Sequence, residues 1–152
     1  MLAPPPAYSF FPLDEPGFQL YCHWHAADAA GDWITPPTRQ WFDYILNTPG
    51  AHAWLVRAAD GRAIGLAQLD EDAKQQGSLM LVVAPAERGG GHGRSILRAL
   101  LALPDLAHLR AVVGGIDPKN VASLHCALAA GFVLASPEPD AEGLLQVVYR
   151  PE

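Results

Sequence analysis

The chain alternates short apolar runs with longer amphipathic segments, a pattern that is typical of strands and helices mixed within one domain. Strands are predicted at residues 8–13, 53–57, 63–69, 78–83, 109–113, 132–135 and 144–149. Helices are predicted at 18–30, from Thr38 or Arg39 to Leu46, at 94–103 and at 120–131.

Asp60-Gly61 lies between two of these apolar runs, and an Asp-Gly pair in that position is a strong signal for a tight hairpin. The hairpin and the strand at 78–83 should form an antiparallel meander. The last helix is expected to bury one apolar face and to end at Gly131 in the left-handed conformation, with Phe132 packing back. That face consists of Val121, Leu124 and Leu128.

Composition indicates one domain that buries a full core: the chain has 152 residues, of which 50% are hydrophobic and 17% are charged. A net charge of −6 argues against nucleic acid as the main partner, because phosphate backbones bind basic surfaces. It is compatible with a small cationic substrate. The two cysteines, Cys22 and Cys126, are far apart and form no CxxC pair, so neither a disulfide framework nor a zinc site is expected.

A single domain spanning 1–152 is expected, in which the proline-rich residues 1–7 form an extended, mobile leader. They lack the basic and apolar regions of a secretory signal, and no segment reaches the length of a membrane span. A cytoplasmic protein that does not bind membranes is therefore expected.

The most informative stretch runs from a buried strand that stops at Pro85, through a glycine-rich turn at 88–93, into an amphipathic helix. Strand, glycine turn and helix N-terminus together form an anion-binding cradle, which predicts a pyrophosphate site. A Walker A loop does not fit, since it needs glycine at Arg88 and lysine at Arg94. A dinucleotide fingerprint lacks its third glycine at Arg94. A merely flexible connection remains an alternative.

Residues 83–94 resemble the acyl-CoA-binding motif of the GNAT superfamily of N-acyltransferases, whose signature is Arg or Gln, two residues, Gly, one residue, then Gly or Ala. Arg88, Gly91 and Gly93 occupy those positions. Downstream, Asn120 to Ser123, Ala127 and Gly131-Phe132 resemble the family's next helix and its exit. The resemblance covers most of 53–149, and the first third matches only by its strand and two helices.

The resemblance implies a single α/β domain with a mixed, mostly antiparallel sheet flanked by helices. It implies acetyl-CoA as cosubstrate and transfer of its acetyl group to a primary amine of a small molecule or peptide, with a homodimer as the default assembly. A non-catalytic module that binds or senses acyl-CoA is the main alternative. An unrelated nucleotide-binding domain is a weaker one.

The same resemblance implies which residues bind the cosubstrate. The strand at 81–83 would carry a bulge, splay from its neighbour and place backbone groups beside the pantetheine arm, where an N–H can stabilise the oxyanion. Amides of 89–94 would hold the pyrophosphate, and the start of the later helix would contact pantetheine. The implied residues are Leu81, Val82, Val83, Arg88, Gly89, Gly90, Gly91, His92, Gly93, Arg94, Asn120 and Ser123.

The chain departs from the family's pattern at both proton-transfer positions: the usual tyrosine is Ala127, and the usual glutamate falls at Gly77. Asp70 is the candidate base, against the alternative of a solvated turn carboxylate. His125 and Cys126 are interpreted as structural, since they should lie on other helix faces than Ala127.

The first third of the chain is crowded with large rings. Some of them are candidates to line an acceptor site, with core packing as the favoured interpretation of each. These are Trp24, Trp33 and Trp41. His23 and His25 are two residues apart, do not share a helix face, and are not expected to bind a metal.

Overall fold

One sheet organises the computed structural model, which describes residues 7–27 and 37–151. Its seven strands lie in the order β1-β2-β3-β4-β5-β7-β6. The strands are β1 Tyr8–Pro12, β2 Ala51–Ala58, β3 Ala63–Glu71, β4 Gln76–Val83, β5 Ala111–Ile116, β6 Val133–Leu134 and β7 Leu145–Tyr149. The helices of the described ranges are α1 Glu15–Ala27, α2 Arg39–Asn47, α3 His92–Leu101 and α4 Val121–Ala129. The predicted leader, apart from Ala7, and Trp33 lie outside the described residues.

All neighbouring strands pair antiparallel except β4 and β5, which pair parallel. The predicted meander is confirmed, and β1 extends it by one strand. Its hairpin turns at Asp60-Gly61, where Gly61 has φ +90° and its N–H bonds the carbonyl of Ala58 at 2.9 Å. The mixed, mostly antiparallel sheet inferred from the sequence is therefore correct.

Helices cover both faces of the sheet and enclose two apolar cores. On one face, α1 and α2 pack Phe18, Tyr21 and Phe42 against Leu66 and the neighbouring strands. On the other, residues of α3 and α4 pack against inward side chains of β2 to β5. Successive residues of a strand point to opposite faces, so each central strand contributes to both cores. The sheet is thus buried on both sides in its middle.

Several predicted boundaries differ from the structure, and two of the differences have a clear physical reason. α1 begins at Glu15 rather than at residue 18, because Asp14 Oδ1 accepts the N–H of Gly17 at 2.9 Å and a proline is tolerated in a first turn. β5 continues through Gly114 and Gly115, where the sequence predicted its end. Both glycines pair with β7, and a Cβ on Gly115 would lie 3.0 Å from Leu144 Cδ1.

Of the apolar face predicted for the last helix, only Leu124 packs against the core. Val121 and Leu128 are exposed, and Ala127 is the buried residue of α4. A small residue is buried there because α4 packs on α3. The predicted helix end is confirmed: Gly131 has φ +107°, Phe132 is buried, and its N–H bonds Ala127 O at 3.0 Å.

No helix within 7–27 and 37–151 combines the length and apolar character that crossing a membrane requires.

Candidate functional site

The site is a cleft that opens where β4 and β5 separate. The two strands pair only from Gln76↔Ala111 to Ser78↔Val113. Beyond that point β4 continues to Val83 along β3, while β5 continues to Ile116 along β7. Each strand follows its other neighbour, so the sheet splits and leaves a cavity of about 760 Å³. The divergence that the resemblance implied is therefore present.

Hydrogen-bond register decides which backbone groups of β4 face this cleft. Ala84 N–H donates to Ile64 O, and Asp72 N–H to Gln76 O. In an antiparallel pair, bonded residues alternate, so the even-numbered residues of β4 direct N–H and C=O to β3. The odd-numbered residues direct theirs to the other edge. They are Leu79, Leu81 and Val83.

The register sorts the three strand residues implied by the resemblance. Leu81 and Val83 turn their backbone groups toward the cleft, where the carbonyl of Val83 already accepts from Arg88 Nε. Leu79, which the sequence reasoning omitted, directs its carbonyl there, while its N–H belongs to the ladder with β5 that ends at Ser78↔Val113. Val82 bonds Leu66 on β3 and buries its side chain in the core under α1 and α2, so it offers the cleft no backbone donor. Alternation along a strand separates Val82 from Leu81 and Val83, but only the pairing with β3 shows which set faces the cleft.

The bulge expected in β4 is absent. Its pairing with β3 runs without a shift from Glu71↔Gly77 to Gly65↔Val83. Close packing explains why this chain has Gly77 where the family has glutamate. A Cβ at this position would lie 2.8 Å from Leu69 Cδ1 and 3.1 Å from Leu109 Cδ1. A carboxylate at this position would enter the apolar core.

The glycine turn at the cleft mouth has the geometry of an anion cradle. Gly89 and Gly91 have φ of +82° and +79°, conformations that L side chains rarely adopt. Gly91 is the N-cap of α3, so the first N–H groups of that helix have no intrahelical partner. They carry the positive end of the helix dipole, which favours an anion there.

Gly93 serves a different purpose from the turn glycines. A Cβ on Gly93 would lie 3.1 Å from Cys126 Sγ, so a residue without a side chain lets the first turn of α3 approach α4. Cys126 also lines the cleft, contrary to the expectation that it lies away from Ala127. Residues 126 and 127 both reach the cleft because it wraps around that side of α4. His125 is exposed and lines a separate groove of about 330 Å³ beside Arg94.

Side chains on both flanks hold the turn. Arg88 Nε donates to Val83 O at 3.2 Å, which joins the turn to β4. At the other end, Tyr8 OH lies 2.9 Å from His92 Nδ1. Tyr8 escaped the sequence reasoning because it stands 84 residues from its partner and belongs to no motif.

The start of α4 forms another wall of the cleft. Asn120 Oδ1 accepts the N–H of Ser123 at 3.3 Å, so Asn120 is the helix cap that the sequence predicted. Both residues line the cleft, as the resemblance implied, and their contact with pantetheine remains a prediction. Ala127, at the position of the family's tyrosine, is buried in the same wall and offers no proton.

Asp70 lies within β3, not in a solvated turn, beside the apex of the cleft. It pairs with Ser78, which is also the last residue of β4 paired to β5. Its Oδ1 accepts from Tyr44 OH at 2.8 Å and its Oδ2 from Gln68 Nε2 at 2.9 Å. The hydrogen bond to this carboxylate raises the pKa of Tyr44, since it favours the protonated phenol. Asp70 itself does not line the cleft.

The rings considered for an acceptor site are mostly core residues. Trp24 and Trp41 are buried, and Trp41 Nε1 donates to the buried Gln68 Oε1 at 3.1 Å. Trp41 thereby supports the network that ends at Asp70. Within the described ranges, no three His, Cys, Asp or Glu side chains come together as metal ligands.

Residues 11–133 match the family described as acetyltransferase (GNAT) domain. Over 146 residues the chain is 29% identical to the uncharacterized N-acetyltransferase YfmK of Bacillus subtilis (strain 168), covering 91% of this chain and 93% of that protein.

Two solved structures share the fold. The complex of AAC(6')-Ib with paromomycin and acetyl-CoA superposes with a TM-score of 0.81 at 16% identity, covering 95% of this chain and 93% of that one. The spermidine N-acetyltransferase of Vibrio cholerae with CoA and spermine gives a TM-score of 0.80 at 12% identity, covering 95% of both chains.

Proposed function

Because the chain belongs to the acetyltransferase (GNAT) domain family, we propose that it is an N-acetyltransferase that uses acetyl-CoA to acetylate a primary amine of a small molecule or peptide. The observation that carries the proposal is the split between β4 and β5, with backbone donors on one wall and the glycine turn at its mouth. This arrangement fits a long ligand that has an amide-rich arm and a diphosphate.

The residues present fit the pantetheine arm and the diphosphate of acetyl-CoA. The carbonyl of Leu79, both backbone groups of Leu81 and the N–H of Val83 would bond the pantetheine arm as an added strand bonds a sheet edge. The amides from Gly89 to Arg94 would hold the diphosphate. Asn120 and Ser123 would contact pantetheine from the opposite wall.

The acetyl group would lie toward the apex of the cleft, where the amine meets it. The neutral amine nitrogen attacks the thioester carbonyl, and the backbone N–H of Leu81 stabilises the oxyanion. The intermediate collapses as the C–S bond breaks and the C–N bond remains. CoA leaves as a thiolate that takes a proton from solvent, since Ala127 supplies none.

Asp70 is the proposed base. It stands one strand away from the apex, on the α1 and α2 face, so a water relay would carry the amine proton to its carboxylate. The carboxylate also attracts an ammonium group before that proton is lost. The acceptors named with the solved structures, spermine and paromomycin, are the first amines to test.

Release of free CoA thiol from acetyl-CoA, measured against a panel of amines, tests the proposal. The panel contains spermine, paromomycin and a peptide with a free N-terminus. Turnover with at least one amine, and formation of its N-acetyl product by mass spectrometry, is the expected result.

A second candidate, a non-catalytic module that senses acyl-CoA, is favoured by Ala127 and Gly77 at the two proton-transfer positions. Tight CoA binding without turnover of any amine would select this candidate. Absence of CoA binding would reject both.

A further inference from the structure

His92, the residue that follows the glycine turn, contacts the edge strand β1 of the sheet. Tyr8 OH lies 2.9 Å from His92 Nδ1, and the two rings meet edge to face with centroids 6.0 Å apart. On the other side of the imidazole, Nε2 lies 3.6 Å from Glu87 Oε2. We call Tyr8, His92 and Glu87 the His92 anchor. It joins β1, the turn and the segment after β4.

The anchor is itself held in place. Arg62 Nε donates to Glu87 Oε1 at 3.0 Å, which ties the segment after β4 to the β2–β3 hairpin. The side chains of His92 and Glu87 are 23% and 20% exposed, so both are largely withdrawn from water. Hydrogen bonds in such partly buried positions contribute more to rigidity than those of freely solvated groups.

The turn needs an external support because it has almost no side chains of its own. Residues 89–91 are three successive glycines, and a Cβ on Gly89 or Gly91 would meet no atom within 4 Å. Glycine loses more backbone entropy on ordering than any other residue. The shape of the turn must therefore be imposed from its flanks, by Arg88 on one side and His92 on the other.

We propose that Tyr8 is a positioning residue for the diphosphate of CoA, which it reaches only through His92. By holding the imidazole of the first residue of α3, it keeps the N–H groups of residues 92–94 directed at the cleft mouth. The turn therefore has its binding conformation before the ligand arrives, so less conformational entropy is lost on binding. This inference rests on the proposed function, since it requires that the turn binds the diphosphate of CoA.

Calorimetric titration of Tyr8→Phe, His92→Ala and the double variant with CoA tests the inference. Tyr8→Phe removes one hydrogen bond, so its affinity for CoA should be about 3- to 10-fold weaker than that of the parent. Pantetheine, which lacks the diphosphate, should bind Tyr8→Phe as it binds the parent. The double variant should bind CoA no more weakly than His92→Ala, since the effect of Tyr8 passes through that ring.

Tyr149→Phe is the matched control. Its ring packs against Phe132, and its hydroxyl has no described hydrogen bond, so the same atom is removed away from the turn. This variant should bind CoA like the parent.

Equal CoA affinity in Tyr8→Phe and the parent would overturn the inference. So would equal losses toward CoA and pantetheine, or effects of Tyr8 and His92 that simply add. If the parent itself binds no CoA, the proposed function has failed instead, and the melting temperature of each free variant separates a binding defect from unfolding.

Discussion

Two glycines with nearly identical backbone conformations offer a matched test of the diphosphate cradle. Gly91 has φ +79° in the turn and Gly143 has φ +82° in the loop before β7, and a Cβ on either would meet nothing within 4 Å. Alanine at each position should cost about 1–2 kcal/mol of stability from left-handed strain alone.

Gly91→Ala should additionally weaken CoA binding by about tenfold or more, because a displaced amide loses a charge-assisted hydrogen bond to phosphate. Titration calorimetry measures the affinity, and urea unfolding measures the strain. Unchanged affinity in Gly91→Ala, or the same loss in Gly143→Ala, would contradict the cradle.

The proposed role of Asp70 makes a second prediction at this scale. Asp70→Asn keeps the shape of the side chain and an oxygen that accepts from Tyr44, but removes the basic carboxylate. We expect kcat to fall by about 10²- to 10⁴-fold with little change in the KM for acetyl-CoA.

Asp72→Asn is the control for Asp70→Asn. This neighbouring carboxylate accepts backbone N–H groups of its own turn, at 2.8 Å from Lys74 and 3.0 Å from Gln76. Steady-state thiol release measures both variants. If the Asp70→Asn variant turned over as fast as the parent, Asp70 would not be the base.

Some site residues could be predicted from the sequence. Arg88, Gly91 and Gly93 are close together in the chain, and the backbone of the turn requires residues of these types. Tyr8 was not readable, because its partner is 84 residues away. The distinction between Val82 and its neighbours depends on which residues of β4 bond to β3, and hydrophobicity carries no information on that register.

At the scale of elements, a cluster on the α3 and α4 side holds three segments at the closed end of the sheet. Glu71 Oε2 lies 2.6 Å from His52 Nε2, and Glu71 Oε1 bonds His108 Nε2. Burial by itself would raise the pKa of Glu71, but the hydrogen bonds from both histidines outweigh it, and the pKa lies below its ordinary value of 4.5. We call this cluster the Glu71 clasp.

Because the pKa of Glu71 is lowered in the folded state, its contribution is fully present above pH 4.5 and is lost as the pH falls below that value. The free energy of unfolding of Glu71→Gln at pH 7 should therefore be about 1–3 kcal/mol lower than that of the parent. That difference from the parent should shrink toward zero in acid.

Urea unfolding between pH 7 and about pH 3 measures the dependence on Glu71. Glu138→Gln, at an exposed carboxylate, should show no such dependence. A constant difference between Glu71→Gln and the parent across this range would show that the charge of the clasp does not contribute.

The separation of β4 from β5 is also a property of elements. Each strand bonds its other neighbour over its full length, so the gap between them costs no pairing on those sides. The sequence predicted both strands, yet it placed the end of β5 at the glycines that β7 in fact pairs. Glycine weakens a strand because it has no side chain to pack, but here the pairing with β7 continues through both glycines.

For the whole molecule, a ligand that binds only the folded state must stabilise it. CoA at about 100 times its Kd should add about 2.7 kcal/mol, which corresponds to roughly 5–10 °C in melting temperature for a domain of this size. Thermal unfolding with CoA or ATP measures this effect. Protection by ATP without protection by CoA would contradict the proposed cosubstrate. The homodimer remains a prediction that sedimentation can test.

The sequence by itself determined the order of the elements, the meander and the glycine turn, because these follow from local periodicity and turn chemistry. It also carried the resemblance to the family, through two short motifs. The tertiary structure alone decided which backbone groups face the cleft, which face of α4 is buried and which side chains brace the turn. These depend on contacts between residues far apart in the chain, such as Tyr8 with His92, and such contacts exist only once the sheet has assembled.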